Sequence, residues 1–251
     1  MAESSALLDR AAREKAFHDE RFSSTDAEER DRFYAYVDGA RQRLADATAG
    51  FAAGERVLEL GAGLASTGWD LARRGVEVVA IDISPVAVER AEAAAADEGL
   101  DTIEFRVMNA EQLEFAAADF DGVIGSGILH HLDVERAFAE ITRVLRRSGR
   151  VVFYEPLGHN PAINWYRNRT PGMRSEDEHP LVRRDFALAR RRFESVDASM
   201  HHCTVIACAL LPGPVARRLR PVFDRVDAVI SRMPWLKWQS WITVMELRGP
   251  R

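Results

Sequence analysis

The chain is short of cysteine, of lysine and of long apolar runs. Cys203 and Cys208 are its two cysteines in 251 residues. That is too few for a disulfide framework, and a zinc site needs other ligands at metal spacing. Two small buried side chains are the expectation. Lys15 and Lys237 are the only lysines, so nearly all positive charge is arginine. A net charge of −5 and a pI of about 5.9 give no excess of basic charge for nucleic acid. The longest apolar run, 203–211, stops at Pro212, far short of the ~20 residues a membrane span needs. Glu3, Asp9, Arg10 and Arg13 leave no apolar core for a signal peptide. These absences predict a cytoplasmic protein. A hydrophobic content of 47% fits a soluble globular fold.

Against that background, Val57-Leu58-Glu59-Leu60-Gly61-Ala62-Gly63 stands out. An apolar run ends on an acid, and two glycines then open a turn. Further on, Val78-Val79-Ala80-Ile81-Asp82 is a second apolar run ending on an acid. A glycine turn after one strand and a carboxylate at the tip of the next form a nucleoside-binding edge of an α/β sheet. Glycine admits the backbone to the ligand, and the second carboxylate accepts from ribose hydroxyls. The turn alone leaves two nucleosides open, a nicotinamide dinucleotide and S-adenosylmethionine.

Strands and helices alternate from residue 55 onward. The pattern predicts strands at 57–60, 76–81, 103–108, 121–125 and 150–154. It predicts helices at 67–74, ended by Gly75, and from Pro85 to Gly99 behind a Ser84 cap. Asp133 caps a third, whose Val134, Ala137, Phe138, Ile141, Val144 and Leu145 share one face, and Gly149 ends it. Such alternation implies a mostly parallel sheet covered on both faces. Residues 6–50 read as helices and 155–181 as a long loop of functional type. A helix over 182–192, a strand over 194–202, a helix from Pro214 to Met233 and a strand over 241–247 complete the chain.

Downstream segments separate the two nucleosides. Phe105 to Phe115 carries Asn109-Ala110-Glu111 at the end of the third strand. Phe120-Asp121-Gly122-Val123-Ile124, Ile128-Leu129-His130-His131-Leu132 and Arg143 to Val152 follow in order. Together, over roughly residues 55–156, they resemble the class I S-adenosylmethionine-dependent methyltransferases. The resemblance implies a Rossmann-like α/β fold with a mostly parallel seven-stranded sheet, helices on both faces and an N-terminal helical lid. On it, residues 1–50 are the lid and 51–251 the cofactor-binding domain, with a substrate loop at 155–181 and an amphipathic region at 212–238. It also implies that Glu59, Gly61, Ala62 and Gly63 lie against the methionine part of the cofactor. Asp82 would bind ribose, with Ile83 beside adenine; Asn109, Ala110 and Glu111 would contact adenine; the backbone of Ser126 and Gly127 would lie near methionine. Ala65 stands where many members have a third glycine, and Asn109 where aspartate is common. Asn keeps an acceptor and adds donors.

The implied reaction is methyl transfer to a small-molecule acceptor, at oxygen, nitrogen or carbon. A protic acceptor also needs a base. His130 follows strand 4 and resembles the catalytic position of some small-molecule methyltransferases. Glu155 and His159, at and beyond the end of strand 5, are further catalytic candidates. Both histidines at 130–131 also read as local helix-start residues, and Glu155 as a turn-capping carboxylate. Substrate candidates are Phe17 and His18 in the N-terminal segment, His131, and Asn160, Tyr166 and His179 in the loop. Tyr34 supplies a hydroxyl for the cofactor carboxylate. The loop is similar to a bacterial subgroup of mostly undefined acceptors and to rhodoquinone-biosynthesis relatives. Asp177, Glu178 and His179 are ligand types for a divalent cation, but a solvated charged lid is the commoner outcome and no metal is expected.

Residues 212–251 hold eight basic and three acidic side chains, and Trp235, Trp238 and Trp241 follow the apolar face of the last helix. A basic, tryptophan-bearing amphipathic helix suits an anionic membrane; packing on the sheet or at a homodimer interface is the alternative. Peripheral membrane contact would bring in a quinone or lipid acceptor. An NAD(P)-binding oxidoreductase and a non-catalytic cofactor-binding subunit stay open as other classes.

Overall fold

The computed structural model describes residues 10–19, 36, 38–63, 66–169, 175 and 177–251. Seven strands form one sheet: β1 (Arg56–Leu60), β2 (Glu77–Asp82), β3 (Ile103–Val107), β4 (Phe120–Ser126), β5 (Leu145–Pro156), β6 (Phe193–His201) and β7 (Ile242–Pro250). Their spatial order is β3-β2-β1-β4-β5-β7-β6, parallel except where β7 runs antiparallel to β5 and β6. The described helices are α1 (10–19), α2 (Asp38–Thr48), α3 (Gly68–Ala72), α4 (Pro85–Asp97), α5 (Val134–Val144), α6 (Pro161–Arg169), α7 (Arg183–Arg192) and α8 (Gly213–Ile230). This is the Rossmann-like class I methyltransferase architecture expected from the sequence.

The two-residue period of β1 explains the layering. Leu58 and Leu60 join an apolar cluster with Phe120, Phe138, Ile141 and Phe153 on one face. Val57 joins Val78, Ala80, Ile124 and Val152 on the other. A central strand buried on both sides reads as an unbroken apolar run, which is how β1 and β2 appear in the sequence. The strand order reverses between β1 and β4, so the helices they feed leave on opposite faces. That opens a crevice at the carboxyl ends of the strands.

Local signals set the helix starts. Ser84 Oγ accepts from Ala87 N at 3.2 Å, with Pro85 next in the chain. Asp133 Oδ1 accepts from Glu135 N and Arg136 N, each at 3.1 Å. Gly75 (φ +80°) and Gly99 (φ +67°) take the left-handed conformation that closes α3 and α4.

Three expectations change. Residues 155–181 are not one loop: Asn160 Oδ1 accepts from Ala162 N at 3.0 Å and Ile163 N at 3.2 Å, and Pro161 opens α6. The run Asn160-Pro161 is a helix start as well as a turn signal. Gly149 does not end α5. That helix stops at Val144, and β5 starts at Leu145. The register then slips, from Phe120 opposite Leu145 to Gly122 opposite Arg150, so Gly149 sits in a bulge. Finally, α2 belongs to the body and not to a cover: Ala40, Leu44 and Ala47 share an apolar cluster with β1 and β2.

By contrast, α1 is tied across the crevice by polar contacts. Arg10 pairs with Glu111, Asp19 accepts from Ser84 Oγ, and Arg13 pairs with Asp177 at 2.9 Å.

Candidate functional site

A cavity of about 990 Å³ opens at the carboxyl ends of β1, β2, β3 and β4. One end is built from the glycine turn. Gly61 (φ +68°) and Gly63 (φ +53°) turn the chain back on itself, and Gly61 N and Ala62 N donate to Ile81 O at 2.8 and 3.0 Å. A Cβ on Gly61 would come within 2.8 Å of Ile128 Cδ1, so the turn has no room for a side chain. Asp82 Oδ2 accepts from Gly63 N at 3.0 Å and Oδ1 from Ser84 N at 2.9 Å. A carboxylate takes about four hydrogen bonds, so these two fix Asp82 and leave capacity for a diol. Asn109 Oδ1 accepts from Glu111 N at 2.9 Å, shaping the turn after β3. The cavity wall at this end holds Glu59, Gly61, Ala62, Gly63, Asp82, Ile83, Asn109, Ala110, Glu111, Ser126 and Gly127. The residues thus fit an adenosyl ligand: a backbone cradle with no room for Cβ, a buried diol acceptor and a polar turn.

Two of these carboxylates are already engaged. Glu59 accepts from Thr67 N at 2.8 Å, Gly68 N at 3.1 Å and the Ser66 hydroxyl. Burial pushes it up to about 7 despite those bonds. Its first task is to hold the N-terminus of α3 against β1. Glu111 accepts from Asp133 N at 3.0 Å and pairs with Arg10. Burial raises it as well. Tyr34 lies outside the described residues.

The other end of the cavity is mainly apolar. Ile163, Trp165, Ile206, Leu210, Phe223 and Ile242 contribute, from α6, the turns at Val205–Leu210, α8 and β7. Cys203, half-buried, also lines it; burial and Asp227 push its thiol up to about 11. Cys208 is buried, as expected for a small core residue.

Between the two ends stand His130 and His131, in a 3₁₀ turn over Leu129–His131. His130 Nδ1 lies 2.8 Å from Glu155 Oε2. Glu155, wholly buried, accepts from Ile128 N and Leu129 N at 2.9 and 2.8 Å through Oε1. With Oε1 engaged by the backbone, Oε2 is placed to accept an Nδ1 proton, leaving Nε2 with the lone pair. Burial lowers the affinity of His130 for a second proton, against the pull of Glu155. A neutral, oriented imidazole results. Glu155 itself is not on the wall; it acts on the cavity only through His130.

The other predicted residues divide. His18, His131, Asn160 and Tyr166 line the cavity, although Asn160 is spent on capping α6 and on Gln239 O at 2.6 Å. His159 does not reach it. Its ring packs edge-on against Trp238 at 5.6 Å, and Nε2 accepts from Arg183 N at 3.2 Å. Two residues separate it from the end of β5 at Pro156, and the chain has already turned away. His179 is exposed and is held by its backbone N–H to His130 O at 2.8 Å. Phe17 packs on His18 and is not on the wall. Asp177, Glu178 and His179 do not converge: Asp177 pairs with Arg13 while Glu178 lines the cavity. Sequence reasoning missed Glu14, Tyr154 and Arg167 on the wall. No contiguous motif marks them, since the wall joins segments far apart in the chain.

The methyltransferase domain family matches residues 58–153. An uncharacterized protein of Mycobacterium tuberculosis is 37% identical over 105 residues, 41% of this chain and 38% of that protein. Aklanonic acid methyltransferase DauC of Streptomyces sp. strain C5 is 36% identical over 108 residues, 41% of this chain and 49% of the relative. The match therefore spans less than half of either relative. Among solved structures, phosphoethanolamine N-methyltransferase 2 of Haemonchus contortus, in complex with S-adenosyl-L-methionine, superposes with a TM-score of 0.62 at 15% identity. The superposition covers 85% of this chain and 53% of that one. Among the described residues, no helix is long and apolar enough to cross a membrane.

Proposed function

We propose that this chain is an S-adenosylmethionine-dependent methyltransferase, as the methyltransferase-domain match over residues 58–153 supports, and that it methylates a small acceptor with a largely apolar body and one exchangeable proton. The His130–Glu155 pair at the junction of the two cavity ends carries this reading. When bound, the cofactor supplies an electrophilic sulfonium methyl; everything else falls to the protein. The glycine turn and Asp82 hold the adenosyl end. Apolar side chains around Trp165 and Phe223 exclude water and orient the acceptor. The Nε2 lone pair of His130 receives the acceptor's proton as the methyl moves. Glu155 holds the ring in the tautomer that leaves Nε2 free and steadies the imidazolium that forms. α1 is the natural cover: Arg10, Ala11, Glu14 and His18 lie on the wall, and their helix is held mainly by ion pairs.

The test has two stages. Calorimetry should show S-adenosylhomocysteine binding and no NADH binding; the reverse would return the chain to the oxidoreductases. Trideuteromethyl cofactor is then incubated with a panel of phenols, enols, carboxylates and amines on apolar scaffolds. A mass shift dependent on His130 supports the reading. Cofactor binding with no labelled product from the panel or from cell extracts would favour a non-catalytic subunit.

A second reading concerns where the acceptor comes from. Val215, Leu219, Val222, Val226, Val229 and Met233 form an exposed apolar line along α8 and its end, spaced alternately by four and three residues. Arg218, Arg225 and Arg232 recur every seven residues along one side of it. Two antiparallel copies of such a face would set like charges together, whereas anionic headgroups would neutralise them. Leu210 and Trp165, both exposed, continue the apolar surface to the cavity mouth. A lipid-like acceptor delivered from an anionic surface suits this arrangement. Sedimentation with phosphatidylglycerol vesicles, lost in Val222→Asp and absent with phosphatidylcholine, is the expected result; no sedimentation with either lipid sinks the idea.

A further inference from the structure

We propose that Glu14, His18 and His131 form a binding site for one divalent transition-metal ion inside the cavity. The three side chains come from α1 and from the turn after β4, and their ligand atoms all lie within 4.8 Å of one another. His131 is shared with a second group, His130, His131 and Glu178, whose ligand atoms meet the same limit. Two imidazoles and a carboxylate with Glu178 in reserve make a donor set for zinc, cobalt, iron or manganese, not for magnesium.

Glu14 supplies the independent observation. It is 5% exposed, and its Oε2 atom has no aligned hydrogen-bond donor although His131 Nδ1 is 3.1 Å away and His18 Nε2 3.6 Å away. A buried carboxylate oxygen facing two imidazole nitrogens is the arrangement of a two-histidine, one-carboxylate donor set. The other oxygen, Oε1, accepts from Ser175 Oγ at 2.5 Å, which holds the carboxylate in place. The charge count agrees. Glu14 and Glu178 bring two negative charges to an enclosed space. Arg167 pairs with Glu178 at 4.0 Å. His131 and His18 are the imidazoles that face Glu14 Oε2. A divalent ion would offset the negative charge and leave positions open toward the acceptor.

The use of the ion rests on the methyl-transfer reading, but its binding does not. Coordinated there, the ion would hold an oxygen of the acceptor and ease loss of its proton to the neighbouring His130. That narrows the acceptor to one with an ionisable hydroxyl or enol, and a second oxygen to chelate.

The full-length protein, stripped with a chelator, is titrated with Zn²⁺ and with Co²⁺ by calorimetry, with Mg²⁺ as control. One equivalent of Zn²⁺ or Co²⁺ is expected, with Co²⁺ giving visible absorption bands. His131→Ala and Glu14→Ala should each lower affinity at least about 100-fold, since even losing a partner outside the ligand set costs 10–100-fold. His179→Ala should leave it unchanged. S-adenosylhomocysteine affinity within about threefold of the parent certifies that each variant is folded; His18→Ala replaces any that fails. No stoichiometric binding, binding that survives both His131→Ala and Glu14→Ala, or binding abolished by Cys203→Ser would each overturn the proposal. A chain that binds Zn²⁺ but not S-adenosylhomocysteine would refute the methyl-transfer reading and leave the metal site standing.

Discussion

The two ends of the cavity are made in different ways. The cofactor end is backbone. Gly61 and Gly63 turn the chain, Ile81 O receives two N–H groups, and Asp82 is pinned by Gly63 N and Ser84 N within a few residues of the strand tips. The acceptor end is side chain, gathered from α1, α6, α8 and the turns before α8. Backbone cradles tolerate little variation, because a Cβ at Gly61 collides whatever residue carries it. A wall of side chains can be recut one residue at a time with the sheet untouched. On the proposed function, one end fixes the chemistry and the other selects what receives it.

The largest effect that separates the ends is expected at their junction. His130→Ala should lower kcat by about 10² to 10⁴ in a methyl-transfer assay, with S-adenosylhomocysteine affinity unchanged by calorimetry. If affinity and turnover fall together, His130 belongs to the cofactor end and the division is wrong. Glu155→Gln should cost less in kcat, because Gln still accepts from Ile128 N or Leu129 N yet no longer stabilises the imidazolium.

The sequence exposes the cofactor end because its physics is local. A glycine turn, a strand-end acid and an Asx turn at Asn109 are each written in consecutive residues, and so are the caps at Ser84 and Asp133. The His130–Glu155 pair was half legible. Glu155 stands at the end of β5 and His130 in the turn after β4, but their 2.8 Å approach depends on the parallel pairing of the two strands. His159 misled because residues after a strand end can turn either way, and here Trp238 and Arg183 capture it. Glu14 was illegible: it is one acid on a short polar helix, and only the docking of α1 brings it to His131. Gly149 shows the limit of punctuation, since a glycine after a helix serves a cap and a bulge equally well.

Glu59 offers a stability test of the same contrast, because it belongs to the cofactor end yet acts as a brace for α3. Folded, it keeps its proton up to about pH 7, against 4.5 unperturbed. A carboxyl raised by folding stabilises fully below the lower value, where both states are protonated. That stabilisation is lost as pH climbs through the folded value. Between those pH values the parent should lose on the order of 3 kcal/mol relative to Glu59→Gln, which cannot titrate. Urea unfolding of both proteins at several pH values reads it directly. Parallel stability–pH curves would show that Glu59 is ionised throughout and held by Ser66, Thr67 and Gly68 alone.

Asp82 gives the smallest and most selective effect. Removing a charged partner of a hydroxyl costs about 1.5–3 kcal/mol, so Asp82→Asn should weaken S-adenosylhomocysteine by roughly 10–100-fold while Asn still accepts one of the two backbone N–H groups. Part of that loss could come from a loosened glycine turn, because Gly63 N is one of the donors. A double cycle separates the two causes. If Asp82 acts on the ribose, the substitution should matter little for a 2′,3′-dideoxy analogue, which has no diol to lose. If it acts through the turn, both ligands should weaken equally, and the cofactor end would owe its affinity to backbone shape alone.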